Sequence, residues 1–329
     1  MKLTNVKDYM VYVELADGAP VNASLEILTR VSRLAPKSGE QVTAVIIGQN
    51  VSEGAQTAIA AGADKVICVE KEISQLEEYV QILTAIGKKY QPRVFFFPAT
   101  QMGKDLVPVL SYKFDTASIT DVTDIVEKAE GFDYVCSSYN GNILNEISYE
   151  AGFPQIVSVK SSSFKKELDS SRTGEIISED ISVDRSLIKT ELKETVKEIA
   201  EAVNLEEAQV VVAGGRGMGS KENFELVKEL ADVCKGVVGA TRPAIESEWI
   251  SRAHQVGQSG KTVAPKLYIA CGISGATQHI SGMSGSGYIV AINKDEDAPI
   301  FDIADVGIVG DAVKVIPLLI EAIKKEKAQ

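Results

Sequence analysis

The run from Lys266 to Asn293, KLYIACGISGATQHISGMSGSGYIVAIN, constrains the fold more than any other part of the chain. Leu267 to Ala270 is short, apolar and β-prone, Gly272, Ser274 and Gly275 permit a tight turn, a polar helix start follows, and Ile289 to Asn293 returns as a second strand. A helix entered through such a turn leaves backbone N–H groups without intrahelical partners, and those groups suit a phosphate. Gln278 and His279, one of two histidines in the chain, add donors and acceptors beside the turn. The run reads as a nucleotide-cofactor site.

The first half alternates strand-like and helical segments. Tyr9 to Leu15, Val42 to Ile47, Lys65 to Val69 and Val94 to Phe97 have strand character, while Leu25, Leu28, Val31 and Leu34 mark one helix face and Leu76, Val80, Leu83 and Ile86 another. This order predicts a mostly parallel sheet. After a helix near Gly103 to Lys113, the pieces Ser118 to Val126, Tyr134 to Ser138, Ile143 to Tyr149 and Gln155 to Ser162 are expected to extend or flank the sheet in antiparallel fashion. No glycine-rich loop follows the first strand, where VYVELADGAP runs into a helix, so this domain has a doubly wound outline without a phosphate fingerprint. The polar loop PATQMG, Pro98 to Gly103, reads as a helix cap or as a minor ligand loop.

From Ser161 to about Val203 the chain is serine-rich, then heavily charged, with a short strand-like ISV, and the interdomain crossing is expected there. The expected domains are residues 1–200 and 201–329. A chain of 329 residues with 45% hydrophobic content can build two cores. Its net charge of -12 and lack of a Lys/Arg stripe with interleaved aromatics argue against nucleic acid. Cys68, Cys136, Cys234 and Cys271 form no CxxC pair, which removes the usual local zinc and iron-sulfur signatures, and free thiols in a reducing compartment are expected. The N-terminus shows no signal or presequence pattern, and no apolar run approaches ~18 residues, so a cytoplasmic protein without membrane insertion is expected.

The second domain opens with a strand at Gln209 to Ala213, then GGRGMGS and a helix from Lys221 to Cys234. Gly214, Gly215, Gly217 and Gly219 allow backbone N–H groups to approach an anion, with Arg216 adding charge, although a plain tight turn explains the same glycines. The spacing is not GxGxxG, and KGVVGATRP ends without the acidic residue that a nicotinamide site uses to hold ribose. Thr241 and Arg242 follow that strand where an α/β sheet presents ligand groups; taken alone, Arg242 reads as a surface ion pair. HQVGQSGKTVAP lacks hydrophobic period and reads as a loop whose Gln255, Gln258 and Ser259 offer amide and hydroxyl groups. Asp311 stands before the apolar face of the last helix, as an N-cap does.

The run at Leu267 to Gly282 and Ile289 to Asn293, joined in order by VVVAGGRG, GATRP, QVGQSGKTVAP and APIFDIADVGIVGD, resembles the signature of the electron transfer flavoprotein alpha subunit. The first half is similar mainly in element order and in GKDLVPVLSYKFDTASITDV. The resemblance implies two domains, each with a mostly parallel Rossmann-like sheet, the C-terminal one binding FAD. It implies cofactor contacts from Arg216, Thr241, Arg242, Gln255, Val256, Gly257, Gln258, Ser259, Ser274, Gly275, Ala276, Thr277, Gln278, His279, Asn293 and Asp311. Among these, Arg242 is expected against the isoalloxazine, Ser259 near N5, His279 donating to the pyrimidine edge, and Asn293 with Asp311 on the adenosine half. Arg242, Ser259 and His279 are thereby expected to tune the flavin, a cation or donor beside the ring favouring its negatively charged reduced forms.

The implied function is an electron carrier, with this chain pairing with a beta subunit docked on the first domain. Electrons would come from flavin dehydrogenases such as acyl-CoA dehydrogenases, as in fatty acid beta-oxidation. A second FAD or an AMP is expected in the beta subunit. No residue looks like a nucleophile or general base, which suits a carrier more than a substrate-converting enzyme. An NADH-oxidising electron-bifurcating alpha subunit ranks second, because FDTASITDV departs from the TGLTAD-type run associated with that branch. An NAD-dependent enzyme on a related nucleotide-binding domain and a nonredox interaction module are more distant alternatives.

Overall fold

A computed structural model describes residues 6–128, 131–139, 143–150, 152–193, 205 and 208–327. The chain divides into two compact units, Met1–Thr195 and Val196–Gln329.

The first unit is built on β1 (Tyr9–Val13), β2 (Val42–Gly48), β3 (Lys65–Glu70), β4 (Val94–Pro98), β5 (Ser118–Glu127), β6 (Phe132–Ser138), β7 (Ile143–Ser148), β8 (Gln155–Val159) and β9 (Glu175–Ser178). They form one sheet in the order β9-β3-β2-β1-β4-β8-β5-β6-β7. The crossovers are α1 (Asn22–Ser38), α2 (Val51–Ala61), α3 (Leu76–Tyr90) and α4 (Gln101–Phe114). Leu25, Leu28, Val31 and Leu34 of α1 are buried with α2 on one face; Val80, Leu83 and Ile86 of α3 pack with α4 on the other. Strands covered on both sides must be apolar throughout, and YMVYV and VFFFP are fully buried.

Two expectations for this unit are corrected. Gln155–Val159 does not flank the sheet in antiparallel fashion: it lies between β4 and β5 and is parallel to both, while β5, β6 and β7 form the antiparallel part. The run QIVSV is buried along its whole length, as a central strand requires. The serine-rich and charged stretch is built into the first unit through residue 193 rather than serving as a crossing. Its EIIS segment forms β9, in register with β3, and Ile181 and Val183 of the strand-like ISV pack on the core without forming a strand. Residues 194–203 of the expected crossing lie outside the described residues, and the division between the two units falls between Thr195 and Val196.

The second unit has five parallel strands, β10 (Val210–Gly214), β11 (Val237–Ala240), β12 (Leu267–Cys271), β13 (Ile289–Asn293) and β14 (Val306–Val309), in the order β11-β10-β12-β13-β14. Its helices are α5 (Lys221–Cys234), α6 (Arg242–Glu246), α7 (Thr277–Ile280) and α8 (Ala312–Lys327). Side chains alternate across the sheet. Val212, Ile269, Cys271 and Ile292 pack under α5 and α8, while Val211, Ala213, Tyr268, Ala270 and Ala291 face Val256, Val263, Met283 and Ile300 from irregular segments. The segment APIFDIA forms a 3-10 turn at Pro299–Ile303, since Pro299 fixes a helical φ at its start. The helix expected after the glycine turn is a single turn, α7.

Candidate functional site

In a parallel sheet of this order the chain leaves β10 toward β11 and returns on the other side to β12, so the crevice between the C-terminal ends of β10 and β12 is the topological switch point. The two loops that bound it are in backbone contact. Gly215 N donates to the Cys271 carbonyl at 2.9 Å and Gly217 N to the Gly272 carbonyl at 2.9 Å. Gly272 has φ +61, and an added Cβ there would stand 2.8 Å from the Gly217 carbonyl carbon. Glycine is therefore needed where the loops cross, and the expectation that Gly215 and Gly217 offer their N–H groups to an anion is corrected, because those donors are spent within the protein. In the adjacent loop the N–H groups of Ser274, Ala276 and Gln278 have no acceptor among the described residues.

A cavity of about 750 Å³ opens at this position, within the size of small-molecule sites. All residues expected to hold the cofactor line it except Gly275 and Thr277. Gly275, at φ +88, has its Cα against the Pro299–Ile300 backbone, where a Cβ would stand 2.3 Å from Ile300 N. Thr277 begins α7 and is exposed without lining the cavity. Pro243, Ile273, Lys294, Asp295 and Ala312 also line it and escaped the sequence reading. For Lys294 and Asp295 a signal existed, since they directly follow the C-terminal end of β13.

The polar groups fall into occupied and open sets. Thr241 follows β11 and is 6% exposed, and its Oγ1 is buried without a hydrogen-bond partner. A buried, unpaired hydroxyl is costly unless something else supplies its partner. Buried Gln255 donates from Nε2 to Ser259 Oγ at 2.9 Å, which orients that hydroxyl and leaves its proton to donate. Arg216 is exposed at the rim with no carboxylate partner among the described residues. Arg242 is paired with Glu246 one turn along α6, Nε to Oε1 at 2.7 Å, while also lining the cavity. Asn293 donates from Nδ2 to the Ile273 carbonyl at 2.8 Å and accepts from Asp295 N, so its side chain ties two loops together. Asp311 accepts from Val313 N at 3.1 Å and is the cap of α8. A cation, free backbone N–H groups, an orphaned hydroxyl and an oriented serine fit an anionic cofactor with a polar ring.

The model of the family described as electron transfer flavoprotein domain matches residues 9–184, and that of the electron transfer flavoprotein FAD-binding domain matches residues 204–284. The electron transfer flavoprotein subunit alpha of Thermoanaerobacterium thermosaccharolyticum is 43% identical over 330 residues, covering 99% of this chain and 100% of that protein. The chain belongs to the electron transfer flavoprotein alpha subunit family. The protein so named from Megasphaera elsdenii is 42% identical with 99% of both chains covered, and the acryloyl-CoA reductase electron transfer subunit beta of Anaerotignum propionicum is 32% identical over 99% of this chain and 98% of its own. As an alpha subunit of this family, the chain binds FAD and works in electron transfer, and the family implies a beta-subunit partner. No helix among the described residues is long and apolar enough to cross a membrane.

One assignment for this alpha subunit changes. His279 is 6% exposed, its Nδ1 lies 3.0 Å from the Val256 carbonyl and its Nε2 2.9 Å from the Tyr268 hydroxyl. Both nitrogens are engaged inside the protein, so the expected donation to the pyrimidine edge has no free N–H behind it. Burial holds the imidazole pKa down at about 4. The ring is therefore neutral in the physiological range and carries no charge toward a flavin. His254 is likewise buried, with Nδ1 2.7 Å from the Val238 carbonyl.

Proposed function

We propose that FAD lies in the switch-point cavity of the second unit, and that the chain carries electrons from flavin dehydrogenases of the acyl-CoA dehydrogenase class to a downstream acceptor. The observation that carries the placement is Thr241 Oγ1, a buried hydroxyl without a partner in the wall of a cavity rimmed by Arg216 and by the unpaired N–H groups of Ser274, Ala276 and Gln278. On this reading Arg216 and those N–H groups hold the phosphates, Thr241 and the Gln255-oriented Ser259 bond the ring system, and Arg242 sets a cation beside it. Asn293 and Asp311 shape the adenosine end mainly by fixing its loops. When bound, FAD supplies the electron-accepting and electron-donating chemistry. The protein binds it, shields it and presents charge, and no side chain here moves a substrate proton.

On this reading the first domain runs to about residue 200 and the second from 201, a few residues beyond the division between Thr195 and Val196. The first unit docks the beta subunit, which contributes a second FAD or an AMP, and the assembly works in the cytoplasm. Flavin content of the heterodimer and FAD affinity of Thr241→Val test the placement together. Valine fills the same volume without a hydroxyl, so apo stability is kept or rises while FAD affinity falls about tenfold. Unchanged affinity in Thr241→Val would remove this cavity from consideration. A second reading, an NADH-oxidising bifurcating alpha subunit, draws on the relative named as an acryloyl-CoA reductase electron transfer subunit. One FAD per heterodimer with an AMP, and no reduction by NADH, would sink it.

A further inference from the structure

Tyr268 is the second residue of strand β12 and has no exposed surface. A carbonyl oxygen only accepts, so the 3.0 Å contact from His279 to Val256 requires the proton on Nδ1. A neutral imidazole then has its lone pair on Nε2, and the Tyr268 hydroxyl, 2.9 Å away, donates to it. The result is a directed chain from the sheet, through α7, to the loop that begins at Val256. That loop is also held by Gln258 N to the Gln278 carbonyl at 2.7 Å and by Gly257 N to the Lys261 carbonyl at 3.1 Å. Among the described residues no carboxylate, lysine or arginine bonds either ring, and the titratable neighbour that acts on Tyr268 is Cys271 on the same strand. Burial pushes both the phenol and the Cys271 thiol up, so neither ionises below pH 8.

Resting on the reading that FAD occupies this cavity, we propose that Tyr268 is a positioning residue: its hydroxyl donates to the Nε2 lone pair left by the Nδ1–H tautomer that the Val256 carbonyl selects, and so holds the His279 ring in place. That tautomer in turn holds the Val256 carbonyl and sets where Gln258 and Ser259 face the cofactor. The tyrosine never touches the ligand. It partners the nitrogen that carries no proton and, through the ring, steadies the pose of the loop.

The test is nitrogen NMR on the full chain with labelled histidine, reassembled with its beta subunit, with His279→Gln used to assign the resonance. The expected wild-type signal is a protonated Nδ1 and an unprotonated Nε2, unchanged between pH 8 and pH 5.5. In Tyr268→Phe the Nε2 lone pair loses its donor, so the Nε2 resonance shifts while Nδ1, still on the Val256 carbonyl, stays protonated. FAD affinity at pH 7.5 falls about tenfold together with that Nε2 shift, a pairing that simple loss of packing would not produce. A wild-type Nε2–H tautomer, or a midpoint above 6, overturns the proposal without need of the variant. Identical spectra and FAD affinities in wild type and Tyr268→Phe overturn it as well. If FAD binds tightly yet leaves the His279 resonances unmoved, the cavity placement itself fails, and the positioning role falls with it while the tautomer stands.

Discussion

The two units solve the same topological problem in opposite ways. In the first, the switch point lies between β1 and β4, and the protein closes it with its own groups. Thr100, after β4, caps α4 by accepting from Gly103 N at 3.1 Å, and its hydroxyl donates to the Glu14 carboxylate after β1. Leu15–Ala16 and Ala19–Pro20 form a small antiparallel ribbon over the strand ends, with Leu15 against Gly48 and Gly54. An apolar side chain and a half-buried acid repel a phosphate. In the second unit the corresponding loops are glycines in backbone contact, the rim carries cations, and a threonine hydroxyl is left without a partner. Sheet order supplies a crevice in both; the residues of the first turn decide whether the protein or a ligand fills it.

The largest expected effect breaks the loop crossing. Gly272→Ala places a Cβ at φ +61 and 2.8 Å from Gly217, which adds backbone strain to overpacking. It should destabilise the second unit by about 3 kcal/mol and abolish flavin binding. Gly18→Ala in the ribbon of the first unit, at φ +83 with nothing within 4 Å of the added Cβ, meets only the conformational strain, about 1 kcal/mol, and keeps its flavin. Thermal unfolding and flavin absorbance of the two variants decide the matter; equal losses would mean that the glycine crossing has no special place in the site.

The next effect probes charge. Arg242 lines the cavity while bonded to Glu246, so the charge it turns toward the cavity is partly neutralised by its own helix. Arg242→Ala should lower the flavin reduction potential, on the order of 60 mV for a one-electron couple. Glu246→Gln should raise it by less, because the pair is exposed and solvent already screens it. Spectroelectrochemical titration of both variants gives the signs, and two shifts in the same direction would show that the pair does not act as a unit.

Much of this contrast was legible in the residues. The missing glycines after the first strand, the cluster GGRGMGS and the run from Lys266 all pointed to one ligand domain and one without a phosphate loop. What was not legible depended on partners distant in sequence. Gly215 and Gly217 look like anion donors until the Cys271 and Gly272 carbonyls are found to take their protons. His279 looks like a ligand donor until Tyr268 and Val256 are found on either side of it. The place of QIVSV between β4 and β5 follows from long-range pairing, although its unbroken apolar run carried a signal of burial on both faces.

The smallest expected effect lies in the closed crevice. Burial raises the Glu14 pKa above its ordinary value of 4.5, and the hydrogen bond from Thr100 only partly opposes this. For an acid with a raised folded-state pKa, its contribution to stability is complete below pH 4.5, where both states are protonated, and is lost as the pH climbs through the folded value. Above that window an ionised Glu14 weighs against the first unit. Glu14→Gln keeps an oxygen to accept from Thr100 and removes the titration. It should leave the unfolding midpoint unchanged at pH 4, raise it by about 1–2 °C at pH 7, and leave flavin content as in wild type. A lower midpoint at pH 7 would mean that the carboxylate is held by more than it loses to burial, and that the first crevice is closed by a charge it needs.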